Sequence, residues 1–455
     1  LALAPTALST LGLPEAALET FPPAFLDGMT ALGRERVLGD TGPNAAAQWW
    51  WPNTGWRADA VLLAYGKSTE AVAALVARVE SACVAPQCIA HRIALERIPE
   101  ARGDRKEPFG FVDGTSQPVI RGTYRGLRNA DPIHLVEPGE FIIGYPDNRG
   151  NLPPAPHLDA VHDPHNRLPI AADCDGFSRT IVDAPRDVAR NGSFLVVRQL
   201  EQEIERFHAY CEAEAQRLQG RLEQPYRITP DFIGAKLVGR WADGSSLVRF
   251  PYESETALMR SRAPVLQPRP TARPTSTPET GTPILSATTP APTVVDAKPA
   301  LRSSEDNDFL YGTEDPEALR CPFGAHIRRA NPRDSLVPGS SEQIAITNRH
   351  RILRVGRVYA PRDGQRPGLL FMCLNSDIER QFEFIQQTWL ASPAFHGLEG
   401  EVDPLIGDGS VGLNGFTVPT RDAPLRLTPM RQFVTMRGGG YFFLPGKRLL
   451  EFLKD

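Results

Sequence analysis

Apolar positions along the chain follow two periods, near two residues and near 3.6, and these predict its elements. Asp59–Tyr65 (DAVLLAY) is a compact apolar run that predicts a buried strand. Ser68–Cys83 carries apolar residues at helical spacing and predicts an amphipathic helix with Ser68 as N-cap. Ile89–Ile98 predicts a second strand. The same order returns downstream. Glu140–Tyr145 (EFIIGY) and Ser193–Leu200 predict strands, and Glu201–Gln219 predicts a helix with apolar residues at 204, 207, 211 and 218. Arg351–Tyr359 and Gly368–Leu374 predict two further strands, and Asp377–Leu390 a helix capped by its first Asp. Residues 1–60 are rich in Pro, Gly and Trp and show only a short helical pattern near 23–37.

Two strand–helix–strand sets with antiparallel neighbours predict an α+β architecture in two domains, 1–120 and 121–455. Inside the second, residues 264–300 hold nine Pro and eight Thr. That composition cannot bury enough apolar surface to offset its ordering entropy, so an extended, mobile insertion is expected.

Composition narrows the class. The 455 residues are 41% apolar and 23% charged, which is globular, and the net charge of −4 offers no nucleic-acid footprint. No apolar run reaches the roughly 18 residues of a membrane span. Six cysteines, at 83, 88, 174, 211, 321 and 373, form no CxxC pair and no disulfide scaffold. Isolated thiols in a reducing, cytoplasmic compartment are expected. The first residues lack an initiator Met, which leaves a removed targeting segment, and so secretion, open. A homo-oligomer is compatible with all of this.

Three segments carry candidate chemistry. In Phe109–Thr115 (FGFVDGT), Asp113 sits in a Gly-flanked apolar loop, where an ordinary Asp-Gly turn is an equally direct explanation. In Cys321–Arg333 (CPFGAHIRRANPR), His326 precedes three arginines. Imidazole is a good iron ligand and guanidinium pairs with carboxylates, although a single His in a basic turn is more often structural. In Arg349–Arg357, Arg354 lies on an apolar strand and points either into a pocket or along a protected edge.

Taken together, these segments resemble the dye-decolourising peroxidase family. Gly110–Gly114 is similar to the family's GxxDG loop, Cys321–Arg333 to its proximal-histidine segment and Arg349–Tyr359 to its distal-arginine strand. Asn191–Gln202, Gly368–Gln386 and Leu38–Trp50 extend the likeness over most of the chain, the insertion excepted. The resemblance implies two ferredoxin-like domains of the dimeric α+β barrel superfamily, with haem b (iron protoporphyrin IX) in the C-terminal one. It implies an enzyme that uses H2O2 to oxidise dyes, phenols and other bulky reductants through a ferryl intermediate.

The same resemblance implies roles. His326 would be the axial iron ligand, its Nδ1–H held by Glu383 or, second, by Asp377. Asp113 would be the distal acid/base and Arg354 its cationic partner, with Arg351 and Arg349 as fallbacks. Arg328, Arg329 and Arg333 would meet the haem propionates, and Phe111, Phe371 and Phe384 would line the pocket. Trp49, Trp50, Trp51, Trp56, Trp241 and Trp389 are relay candidates, though packing is their commoner use. His157, Asp159, His162, Asp163 and His165 crowd one loop, where a Mn(II) site competes with a plain polar loop. Rival readings are a thiolate haem on Cys321, iron release from haem or chlorite decomposition, and a haem carrier without activity.

Overall fold

The structure is a computed structural model, and it describes residues 1–52, 57–83, 88–99, 105–128, 132–171, 184–222, 226–262, 307–337, 340–359, 366–407 and 415–454. The Pro/Thr-rich stretch 264–300, Cys174 and Trp56 lie outside the described residues.

One six-stranded antiparallel sheet organises the chain. Its strands are β1 (Ala2–Leu3), β2 (Ala60–Val61), β3 (Ser193–Gln202), β4 (Leu353–Tyr359), β5 (Gly368–Asn375) and β6 (Val434–Leu444), in the order β2-β1-β6-β3-β5-β4. Central β3 is buried along nearly its whole length because both of its faces are covered. Phe194 and Val196 enter one core with Phe21, Phe25 and Phe443, whereas Leu195 and Val197 enter another with Trp51, Met372 and Phe442. This alternation is the two-residue period of a strand with apolar cover on each side. The α+β fold is ferredoxin-like, an antiparallel sheet with helices packed around it.

Helix α1 (Thr69–Ala82) forms as its spacing predicts, and the Ser68 hydroxyl accepts the Ala71 N–H at 3.3 Å. Helix α2 (Ile204–Arg217) starts three residues later than the pattern predicts. Glu201 and Gln202 stay in β3, paired with Thr435 and Val434 of β6. Helix α3 (Pro230–Val238) is capped by Thr229 and ends on Gly239 at φ +101°. The predicted helix at 377–390 is wound wide, with Glu383 N–H donating five residues back to the Ile378 carbonyl.

Three predicted strands do not form as such. Glu140–Tyr145 is a chain of turns, because Glu140 is buried against Arg380 at 2.7 Å and Gly139 N–H closes on the Pro146 carbonyl. Asp59–Tyr65 shrinks to β2, and Ile89–Ile98 contributes only a bridge from Leu95 to Tyr359. β6, conversely, is not apparent in the pattern, because its Gly438-Gly439-Gly440 breaks the apolar alternation. Gly438 is required there: a Cβ would lie 2.4 Å from the Trp51 carbonyl.

Among the described residues no helix is long and apolar enough to cross a membrane.

Candidate active site

Helix α4 (His326–Ala330) begins at the histidine itself. The His326 side chain keeps 28% of its surface accessible, and its Nδ1 lies 2.9 Å from Asp403 Oδ2. Asp403 is buried, and its Oδ1 accepts the N–H groups of Leu405 and Ile406 at 3.0 and 2.9 Å. Burial alone would raise this carboxyl. The charge and hydrogen bond of His326, the Ile406 N–H and Arg329 outweigh it and hold the pKa below the usual range.

The partner anticipated for His326 is therefore corrected. Glu383 accepts from Arg34 Nη1 on both of its oxygens, at 2.8 and 2.7 Å, and takes the Tyr441 hydroxyl at 2.7 Å. Asp377 caps its own helix, accepting the Arg380 N–H at 2.9 Å. Neither reaches the imidazole, because the wide helical turns aim these acids elsewhere. The only sequence signal for Asp403 was an acid isolated in an apolar run, Val402–Ile406.

On the second segment, Asp113 Oδ1 meets Arg354 Nη1 at 2.7 Å, and both side chains keep about a quarter of their surface accessible, at 23% and 28%. Gly114 N–H donates to the same oxygen at 2.6 Å. Burial pushes the Asp113 carboxyl up, but Arg354, the Gly114 N–H and the Gly356 N–H together bring it below the usual carboxylate value. Gly356 is needed for this approach: a Cβ on it would lie 2.7 Å from Asp113 Oδ2. Phe371 faces Gly356 in the sheet register, on the side that carries Arg354.

Both segments pack on α3. A Cβ at Gly234 would come 3.2 Å from the Phe111 ring, and one at Gly239 would come 3.1 Å from Ile327 of α4. Five helical residues separate these contacts, roughly 7–8 Å along the axis. Phe111, Ala325, α3 and the hairpin 416–427 share one apolar core.

The arginines after His326 are corrected as well. Arg328 is fully buried, bound to the Asp315 carboxylate at 2.9 Å and to the Cys321 carbonyl at 2.7 Å. Arg329 donates to the carbonyls of Trp389, Leu390, Ser392 and Glu401. Both guanidiniums pin backbone, so neither is free for a propionate. Arg333 donates to the Asn307 and Phe309 carbonyls. Among the described residues no ion pair is found for Arg351 either. It is buried, its guanidinium donates to the Ser116 carbonyl at 3.2 Å, and burial with the charges of Arg333 and Arg354 pushes its pKa down to about 9. The Arg349 Nε is also buried without a partner. Arg351 lies within the field of Arg333 and Arg354, an excess of positive charge that a dianionic porphyrin edge would neutralise. An imidazole with Nδ1 engaged and Nε2 left over completes a donor set that fits haem.

Other candidates resolve into packing. Phe384 stacks on His350 at 3.9 Å. The indole N–H groups of Trp49, Trp51 and Trp241 bind Asn44, Gln199 and Phe250, and Trp389 is buried. Asp163 accepts the N–H groups of Arg167 and Leu168, and no metal-ligating group of three is found among the described residues. Cys321 is buried in the apolar core with its Sγ against the Gly239 carbonyl, and its thiol is pushed up to about 11, chiefly by burial.

A ferredoxin-like fold with an imidazole–carboxylate pair and a carboxylate–guanidinium pair, whose segments include two that pack against α3, is the frame of an enzyme of the peroxidase type. The chain is 29% identical over 420 residues to a multifunctional dye peroxidase of Amycolatopsis sp., covering 87% of this chain and 71% of that protein. It is 27% identical over 353 residues to a dye-decolorizing peroxidase of Exidia glandulosa, covering 74% of this chain and 54% of that one. A dye-decolorizing peroxidase solved with 2,6-dimethoxyphenol superposes with a TM-score of 0.62 at 21% identity, over 100% of this chain and 85% of that one. No family model matches the chain. Over most of its length the chain is therefore similar to dye-decolorizing peroxidases.

Proposed function

We propose that this chain is an H2O2-dependent haem peroxidase oxidising dyes, phenols and similar bulky aromatic reductants. The observation that carries the reading is the Asp113–Arg354 pair, a carboxylate held ionised beside a guanidinium and still accessible. Haem b, when bound, supplies the iron at which peroxide is reduced and the reductant is oxidised by single electrons.

The chain's own residues supply the rest. His326 Nε2 is the atom that would bind the iron, and donation from Nδ1–H to Asp403 makes the ring a stronger donor. Arg351 and Arg349 would meet the propionates, and Phe371, opposite Gly356 in the sheet, would lie against the haem. Asp113 takes a proton from peroxide on Oδ2, the oxygen that Arg354 and Gly114 leave, and returns it to the departing oxygen. Arg354 stabilises the negative charge that develops on peroxide meanwhile. The same reading takes 1–120 and 121–455 as two ferredoxin-like units with haem in the second. The free thiols at 83, 88, 211, 321 and 373 support a reducing, cytoplasmic setting.

The test compares haem-loaded wild type with Asp113→Asn. Wild type is expected to turn over an anthraquinone dye with H2O2. The variant is expected to keep its haem and lose about 10²–10⁴-fold in turnover. Unchanged turnover in Asp113→Asn would sink the reading.

A further inference from the structure

Two side chains outside the reacting pair hold it from both ends. Glu107 is part-buried at the root of the distal loop. Its carboxylate accepts the N–H groups of Phe109 and Phe111, each at 2.9 Å, and the side-chain amide of Gln202 at 2.9 Å. Gln202 is the last residue of central β3. The backbone closes the same turn, Glu107 N–H donating to the Phe111 carbonyl at 2.9 Å and Gly110 N–H to that of Glu107 at 2.8 Å. The loop that presents Asp113 is thus hung from the middle of the sheet by one carboxylate.

Gln117 holds the other end. Its Nε2 donates to the Arg354 carbonyl at 2.5 Å, and its Oε1 accepts the Arg354 N–H at 3.3 Å. Arg354 lies on β4, the outermost strand, where β5 lines only one side. The Gln117 amide takes the place of a neighbouring strand on the open side, satisfying both backbone groups of that one residue. Three residues of chain separate this bracket from Asp113, so the amide ties the loop to the strand that bears its partner.

We propose that Glu107 and Gln117 are positioning residues that fix the Asp113 carboxylate against the Arg354 guanidinium without touching the reactants. The proposal rests on the reading of Asp113 as the proton carrier. Misplacement of a reacting group by about 1 Å costs on the order of 10²-fold in rate, so such brackets belong to the chemistry as much as to the fold.

The experiment uses haem-loaded protein carrying Gln117→Leu, which keeps volume and removes the amide, alone and combined with Asp113→Asn. Gln117→Leu is expected to lower kcat about tenfold or more, with KM for the reductant unchanged and haem content and Tm near wild type. Cyanide binding, followed by absorbance across pH, is expected to slow and to shift in pH, because the entering HCN must give its proton to a positioned base. In the Asp113→Asn background the further loss should be under about twofold, since the positioned group is already gone. Gln117→Glu keeps the acceptor and loses the donor, so an intermediate loss is expected. Glu107→Gln should behave as Gln117→Leu does. Gln202→Leu, which removes one of its donors, takes its place if that variant does not fold. Equal losses in both backgrounds, or a Gln117→Leu enzyme with wild-type turnover and cyanide binding, would overturn the proposal. Full turnover in Asp113→Asn alone would instead overturn the reading of Asp113.

Discussion

Asp113 sits under opposed influences, and their balance sets its pH behaviour. Burial raises its pKa, while Arg354 and two backbone N–H groups lower it below the ordinary 3.8. A depressed carboxyl stays ionised as pH falls, so the acid limb of kcat/KM for H2O2 is expected below pH 3.8. Arg354→Leu removes the main opposing influence, and the limb should move to higher pH, since desolvation then acts with less opposition. A pH–rate profile of both enzymes checks this. Stability carries the same sign at Asp403. Its folded pKa is lowered, so its contribution is present above the ordinary carboxylate value and is lost as pH falls through the folded one. At Gly356 the effect is steric. A methyl group would lie 2.7 Å from Asp113 Oδ2 and 3.0 Å from Leu369. Gly356→Ala is therefore expected to lower peroxide turnover about 10- to 100-fold while circular-dichroism melting stays close to wild type.

At the scale of elements, α3 is the spacer of the site. It receives Phe111 at Gly234 and Ile327 at Gly239, so its length separates the loop of Asp113 from the helix of His326. Gly239 is doubly constrained, by φ +101° and by a 3.1 Å approach of Ile327 to any Cβ. Gly239→Ala should cost about 1–2 kcal/mol for the left-handed backbone and shift α4. Lower Tm and faster haem transfer to apomyoglobin are the expected readouts. Element periodicity was legible where the chain is straight, at α1, β3 and β5, and failed where polar contacts override it. Glu140–Tyr145 looks like a strand, yet one buried Glu140–Arg380 pair turns it into a loop. The Glu383 error has a related origin: turns of five residues rotate a helix face away from where a 3.6 spacing places it.

For the whole molecule, the N-terminal segment is locked to the central sheet by buried charge. Asp40 and Arg198 of β3 form a buried bidentate pair, with Arg198 also over the Phe382 ring. Asp40→Asn leaves that guanidinium without a counter-charge and should cost about 3–5 kcal/mol, seen as a lower midpoint in urea. Arg34, bound to Glu383, makes a second tie between the segment and the C-terminal half. These long-range pairs decide which acids remain for the site. Glu383 is taken by Arg34 and Tyr441, and Asp403, 77 residues beyond His326, is brought in to replace it.

The sequence by itself brought Asp113, His326 and Arg354 forward as candidates through the resemblance of their segments to the dye-decolourising peroxidase family, because taken locally an Asp-Gly turn, a structural His and a protected strand edge explain them equally well. It also predicted strands at 193–200, 351–359 and 368–374 from their local apolar pattern, and they form at 193–202, 353–359 and 368–375. Only the tertiary structure decided which partner each charged group meets. Asp403 for His326, Gln117 for the Arg354 backbone and Asp315 for Arg328 are choices among many acids and amides of equal propensity. Long-range packing makes those choices, because a buried charge accepts whichever complement the folded chain carries to within 3 Å.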